Sequence, residues 1–295
     1  MSANAARQAA ACAAALLLVA ACARKTEAPK VAGETRYPLT GEVISVDAAR
    51  KMLVVRHNAV EGYMPAMTME FPVSAGDAAT ARPHERIRAS LVVGKKGSAR
   101  LEDIWPDDKV ALDSIDSGAR MLHQDTIAKG GQVYREVGDT VPDFVLFDQN
   151  GRVVDGGRYR GKQVMLDFIY SRCPIANMCP LSTTKMIAAQ RLAKEAGIAN
   201  AEFVSITLDP AHDTPGVLKE YAADRGIDTS NFSFLTGPEA AIRDLLTQFG
   251  VIAEFRGDIL DHTLATLLID EKGRVSWRAD GSEWQPKDFV ARMHR

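Results

Sequence analysis

Two cysteines with five residues between them, Cys173 and Cys179, follow a nearly continuous apolar run from Val164 to Tyr170. Such a run reads as a central strand covered on both faces. The thiols then fall at the turn into a helix, where free backbone N–H groups and the helix dipole favour a thiolate. Cysteine pairs set there do redox chemistry or bind a soft metal. Far along the chain, Asp261-His262-Thr263 is read as opening another apolar strand, Leu264 to Ile269. His262 is the candidate third member of the site. Two thiolates and an imidazole suit Cu(I), which favours soft ligands and low coordination number. Blander readings fit the same residues: an inert structural disulfide between Cys173 and Cys179, and a satisfied core histidine at 262.

Length and composition set the frame for these residues. At 295 residues two domains are expected, and 46% apolar with 25% charged residues describes a globular chain. A net charge of −2 gives no electrostatic reason to expect nucleic acid. The chain has four cysteines, and the other two, Cys12 and Cys22, belong to an N-terminal targeting segment. Arg7 supplies a positive n-region, and Ala9 to Ala21 is apolar but too short to span a bilayer comfortably. Leu18-Val19-Ala20-Ala21-Cys22 resembles a bacterial lipobox, in which the cysteine is lipidated. An ordinary signal peptide with an incidental cysteine has the same composition. On either reading the protein is exported to a compartment where disulfides persist. Ala23 after Cys22 favours the outer over the inner membrane by analogy.

The elements that must position the site fall into two grammars. After a polar tether (residues 23–36), residues 37–106 carry about five short strands separated by turn-like clusters at Asp47 to Arg50 and Gly94 to Gly97. That pattern predicts a small antiparallel, OB-like β-barrel. Residues 107–138 are charged, with helical character near Met121, and read as a linker or packing segment. From 139 to 295 strands and helices alternate. A helix is expected from about Pro180 to Ala196, with Met186, Ala189, Leu192 and Ala193 on one face. Thr214-Pro215 is an N-cap followed by proline at the first helical position. Asp209 and Asp213 then read as turn and helix-start residues. This order is that of a thioredoxin-like α/β domain. His84, His123 and His212 read as surface residues, and Trp277 and Trp284 as packing residues.

Residues 141 to 295 resemble the Sco/SenC family of exported copper proteins. The segments that carry the likeness are the Cys173–Cys179 loop with a proline after each cysteine, Thr207-Leu208-Asp209-Pro210-Ala211-His212-Asp213-Thr214-Pro215, and Asp261-His262-Thr263. The resemblance implies Cu(I) or Cu(II) held by Cys173, Cys179 and His262. It also implies a part in building the copper A centre of cytochrome c oxidase, or thiol–disulfide chemistry between Cys173 and Cys179 that prepares it. The family's usual spacing has three residues between the cysteines, against five here.

Residues 40 to 105 resemble the CusF-like periplasmic copper-binding barrels, on His57 and Met64-Pro65-Ala66-Met67-Thr68-Met69. The likeness implies a Cu(I) site of His57, Met67 and Met69, since residues two apart on a strand share a face. The family's capping tryptophan is replaced by Met64, and Tyr63 or Met64 would fill the cap. Spacing alone gives Met67, Met69 and Phe71 as one apolar face of a half-buried strand, with Thr68 and Glu70 in water.

The expectation is therefore a lipid-anchored metallochaperone on the periplasmic side of a bacterial membrane. Its partner would be a cytochrome c oxidase subunit or another copper or thiol acceptor. Two rivals stand beside it: a thiol–disulfide oxidoreductase with Cys173 attacking and Cys179 resolving, and a copper-buffering resistance lipoprotein. A methionine-rich barrel has no evident use in a purely redox protein.

Overall fold

The structure is a computed structural model that describes residues 33–95, 97–130, 133–256 and 259–294. The targeting segment with Cys12 and Cys22, and the tether up to residue 32, lie outside the described residues.

The first unit is a five-stranded antiparallel sheet. Its strands are β1 (Thr35–Asp47), β2 (Met52–His57), β3 (Met67–Pro72), β4 (Arg86–Val93) and β5 (Ala99–Pro106), in the order β3-β2-β1-β4-β5. Alternate residues face inward, so Leu39, Val43, Leu53, Val55, Phe71, Ile87 and Leu91 form one buried cluster. The expected barrel is present as a curled sheet: edge strands β3 and β5 lie against each other, with no ladder between them among the described residues. A short helix, α1 (Ala75–Thr80), capped by Ser74, follows β3.

Next comes α2 (Lys109–Lys129), within the stretch read as linker or packing segment. Asp108 caps it by accepting from the Ala111 N–H, and Gly130 ends it in the left-handed conformation at φ 107°. Its buried face of Ile115, Gly118, Leu122 and Thr126 keeps helical spacing and packs on the second unit.

That second unit is a mixed seven-stranded sheet in the order β14-β13-β8-β9-β10-β6-β7. It is built from β6 (Val145–Asp148), β7 (Val153–Asp155), β8 (Gln163–Ile169), β9 (Ala201–Thr207), β10 (Phe232–Thr236), β13 (Ala265–Ile269) and β14 (Val275–Asp280). Strands β8, β9 and β10 are parallel, joined by crossover helices α3 (Cys179–Glu195) and α4 (Pro215–Asp224); α5 (Glu239–Phe249) follows β10. Every residue of β8 and β9 is buried, which explains the unbroken apolar run before Cys173. Asp167 in β8 is tolerated there because Ser182 and Ser205 donate to it at 2.7 and 2.5 Å. Helix α6 (Pro286–Val290) closes the unit, with Trp277 and Trp284 packed on Phe289. The thioredoxin-like reading of this half stands.

One element departs from the expected order. His262 does not open the apolar strand; it ends β12 (Ile259–His262), which among the described residues pairs only with β11 (Ala253–Arg256), as a separate antiparallel pair. Strand β13 starts three residues later, at Ala265. Among the described residues, no helix is long and apolar enough to cross a membrane.

Candidate metal centre

Strand β8 delivers the chain to Cys173, and a tight turn returns it to α3, whose first residue is Cys179. In that turn the Met178 N–H donates to the Ile175 carbonyl at 3.0 Å. The hairpin β11–β12 brings His262 over the same point. The ligand atoms of Cys173, Cys179 and His262 all lie within 4.8 Å of one another. The Cys179 sulfur is 3.4 Å from His262 Nε2. The His262 Nδ1–H donates to the Thr263 carbonyl at 3.1 Å, which orients the ring so that Nε2 faces the sulfurs. The donor set therefore fits a soft cation: two sulfurs and one imidazole nitrogen, with no carboxylate in the cluster among the described residues.

Both cysteines are free thiols here, Cys173 half-buried and Cys179 buried. Their acidities diverge. The Cys179 thiol donates to Cys173 and His262 adds a further bond, so Cys173 is drawn down to about 4. The same Cys179–Cys173 bond, with burial, pushes Cys179 up. At neutral pH the thiolate thus resides on the half-buried Cys173. The helix N-terminus alone would favour Cys179, but the thiol–thiol bond and burial outweigh it.

Sequence reasoning missed the frame that holds this turn. Asp213 is buried and accepts from the Ser171 N–H at 3.1 Å, from the Ser171 hydroxyl, and from Thr207 Oγ1 at 2.6 Å. Asp209, also buried, takes Arg172 Nε at 2.7 Å. The Arg172 guanidinium lies 5.7 Å from the Phe255 ring of β11. The two residues before Cys173 are thereby tied to the end of β9 and to the hairpin that carries His262. In sequence these two acidic residues, which follow the end of β9 at Thr207, carry only turn and helix-start chemistry.

A second cluster sits in the first unit. His57 continues the inward row of Leu53 and Val55, and a ladder row across three strands runs Gly41, His57, Met67. A Cβ on Gly41 would come within 2.8 Å of the His57 Cα, so glycine there lets β1 close against the histidine. His57 is 2% exposed, and its Nδ1–H donates to the Asn58 carbonyl at 2.7 Å. Its Nε2 is buried without a hydrogen-bond partner among the described residues. This is the arrangement of His262 repeated. Phe71 is fully buried, Met69 half-buried and Met67 47% exposed, so the expected apolar face opens progressively toward solvent. A methionine placed only for packing would be buried like Phe71. Tyr63 stacks on Tyr37 with ring centroids 4.9 Å apart, and Met64 is half-buried against the core. His84 and His123 face solvent beside Glu42 and Asp244.

Comparison with known proteins follows the same division. Residues 132–295 match the family model described as SCO1/SenC, and residues 36–106 match that of the copper binding periplasmic protein CusF. An SCO2-like protein of Rickettsia conorii is 32% identical over 165 residues, covering 54% of this chain and 72% of that protein. The SCO1 protein homolog of Bacillus subtilis is 29% identical over 168 residues, covering 55% and 86%. A solved SCO1/SenC family lipoprotein from Bacillus anthracis superposes with a TM-score of 0.49 at 26% identity, covering 54% and 96%.

Proposed function

The chain belongs to the SCO1/SenC family, and on that premise we propose that it is an exported copper protein. Cys173, Cys179 and His262 hold and pass on the ion, and His57, Met67 and Met69 form a second, Cu(I)-selective site. The observation that carries this reading is the convergence of two sulfurs and one imidazole nitrogen within 4.8 Å, with no hard ligand among them. In both His57 and His262 the Nδ1–H donates to a backbone carbonyl, which leaves Nε2 as the ring atom each offers, and this supports it. Copper is cargo here, and the protein's part is to bind it softly and release it. The family resemblance makes a copper A acceptor in cytochrome c oxidase the destination. The lipobox at Cys22 would anchor the protein at the periplasmic face of a bacterial membrane.

The test is an anaerobic Cu(I) competition titration of the reduced soluble form, beside Cys173→Ser/Cys179→Ser and Met67→Leu/Met69→Leu variants. Two tight equivalents, each variant losing a different one, are expected. One equivalent, lost only with the methionines, would remove the second unit from copper binding.

A second reading is favoured by the split thiol acidities. Cys173, the half-buried thiolate, attacks a partner's disulfide and forms a mixed disulfide, releasing one partner thiolate. Cys179 then gives up its proton and attacks the Cys173 sulfur. The partner leaves as a dithiol with two electrons gained, and Cys173–Cys179 is left as the disulfide. Reduction of one equivalent of a model disulfide by the reduced, metal-free protein, with Cys173–Cys179 left as the disulfide and the reaction abolished in Cys173→Ser, would establish this activity.

A further inference from the structure

The cysteine turn and the first unit share an anchor. Asp213 is fully buried, and its carboxylate takes the Ser171 N–H at 3.1 Å, the Ser171 hydroxyl, and Thr207 Oγ1 at 2.6 Å. Thr214-Pro215-Gly216, which follow, are the cap and first turn of α4, where the Thr214 hydroxyl accepts from the Val217 N–H at 3.3 Å. Gly216 meets Gly76 of α1, and neither has room for a Cβ. The Gly76 N–H, in the first turn of α1 where the helix itself offers no acceptor, donates across to Glu220 Oε2 of α4 at 3.3 Å. Arg82 also crosses between the units, donating to the Asn150 carbonyl at 3.1 Å. One carboxylate thus joins the thiol turn to the seam between the units.

Closing a disulfide would pull on that anchor. Both cysteines are free thiols here, and a disulfide draws its sulfurs to about 2.05 Å. Cys179 is fully buried at the head of α3, whereas Cys173 is half-buried on the loop before it. The closing movement therefore falls on Cys173 and the chain leading to it. Ser171 is drawn against Asp213, and Asp213 cannot follow freely, because α4 abuts α1 without slack at the two glycines. Close-packed contacts of this kind give way between discrete arrangements instead of stretching.

We propose that the seam between the units is a redox-sensitive switch: the dithiol holds the units docked, and closing Cys173–Cys179 as a disulfide loosens them. The step is exchange with a small oxidised disulfide. The Cys173–Cys179 bond forms, the sulfur–sulfur bond of the oxidant breaks, and the oxidant leaves as two thiols with the two electrons. Coupling between two sites is reciprocal, so parting the units must in turn favour the disulfide.

The switch rests on the thiol chemistry of the second reading above and needs no copper. Its test uses the full mature chain without metal, prepared as dithiol and as disulfide, beside Cys173→Ser/Cys179→Ser given the same oxidant. Hydrogen exchange at the Gly76 amide reads the docking, because the bond to Glu220 is its only protection among the described residues. Exchange about tenfold faster in the disulfide form is expected, with no change in the serine variant. Gly76→Ala, which parts the units, should shift the dithiol–disulfide equilibrium about tenfold toward the disulfide. For two electrons that lowers the midpoint by about 30 mV. Adding Ser171→Ala, which removes one of the bonds to Asp213, should shrink the shift. Equal or slower Gly76 exchange in the disulfide form overturns the proposal, and so does an unmoved midpoint in Gly76→Ala. Should Gly76→Ala fail to fold, exchange in the parent decides alone. A chain that never forms the disulfide defeats the second reading and the switch together, whereas a disulfide that leaves Gly76 exchange unchanged defeats only the switch.

Discussion

Two sulfurs converge with His262 at the centre, but only one thiol proton stands in the way of a cation. Cys173 is drawn down to about 4 and is already ionised at neutral pH, whereas Cys179 is pushed up and keeps its proton. His262 offers its Nε2, because its other nitrogen donates to Thr263. Loading both sulfurs at neutral pH should therefore expel about one proton, from Cys179, rather than two. Calorimetric Cu(I) titration in buffers of different ionisation heat measures that count. A count of two would mean that Cys173 enters as a thiol and that the thiolate assignment is wrong. The ligands themselves were legible in the sequence, because cysteine and histidine announce their chemistry by type. Asp209 and Asp213 were not. A carboxylate after a strand reads as turn chemistry, and its real partners, Arg172 and Ser171, lie 37 and 42 residues away in sequence. Only the fold brings them together.

Elements explain how a five-residue spacer between the cysteines still leaves a compact centre. The turn is not held by its own length but by clamps at its entry, where Asp213 grips Ser171 and Asp209 grips Arg172. Arg172 also reaches the hairpin through Phe255, so one side chain spans the strand end, the cysteine turn and the histidine hairpin. Its replacement should be felt in stability as well as at the site. In Arg172→Ala the buried Asp209 carboxylate loses its counter-charge. Breaking a buried pair costs on the order of 3–5 kcal/mol, and the partial exposure of Arg172 argues for less than that, about 2–3 kcal/mol. Urea unfolding of Arg172→Ala should show this loss, and adding Asp209→Asn should recover part of it. A loss of the same size in both would mean that the charge on Asp209 was never the issue. At this scale the sequence was legible where the pattern is long and periodic: β8, the start of α3 at Cys179, the Thr214 cap of α4. It was not legible in β11–β12, whose strands are four residues each and abut a stronger apolar run. The six-residue α1 was missed for the same reason.

The whole molecule adds a contact that no separate reading of two domains contains. Helix α1 of the first unit meets the start of α4 in the second at a pair of glycines. A Cβ on Gly76 would stand 1.9 Å from the Gly216 carbonyl oxygen, and one on Gly216 would stand 2.1 Å from an Asp77 oxygen. No side chain can relax a clash with backbone, so any residue but glycine at 76 must part the units. A small shared cluster of Trp105, Ile115 and Phe147 packs nearby. On the function proposed above, the contact bears on any transfer between the two proposed copper sites. A flexible tether would present one site to the other at an effective concentration of roughly millimolar, whereas docking fixes their separation once for every molecule. The start of α4 also follows directly on Asp213, the residue that grips the cysteine turn. Gly76→Ala should therefore enlarge the particle in small-angle scattering while leaving each unit folded. It should change the rate of copper passage from the methionine site to the Cys173–Cys179–His262 site, with both affinities unchanged. Asp77 gives the contact a pH dependence. Burial raises its carboxyl to about 6, and Glu220 and Asp103 push the same way against its bond to Ser74. In the parted protein water would return it toward the ordinary value of 3.8. The docked form thus holds the proton more tightly, so docking strengthens as pH falls from about 6 toward 3.8 and is at its weakest, without further change, above about 6. An Asp77→Asn variant should dock with little pH dependence over that window. If Gly76→Ala passes copper at the parent's rate, a tether suffices and the docked geometry has no part in the relay.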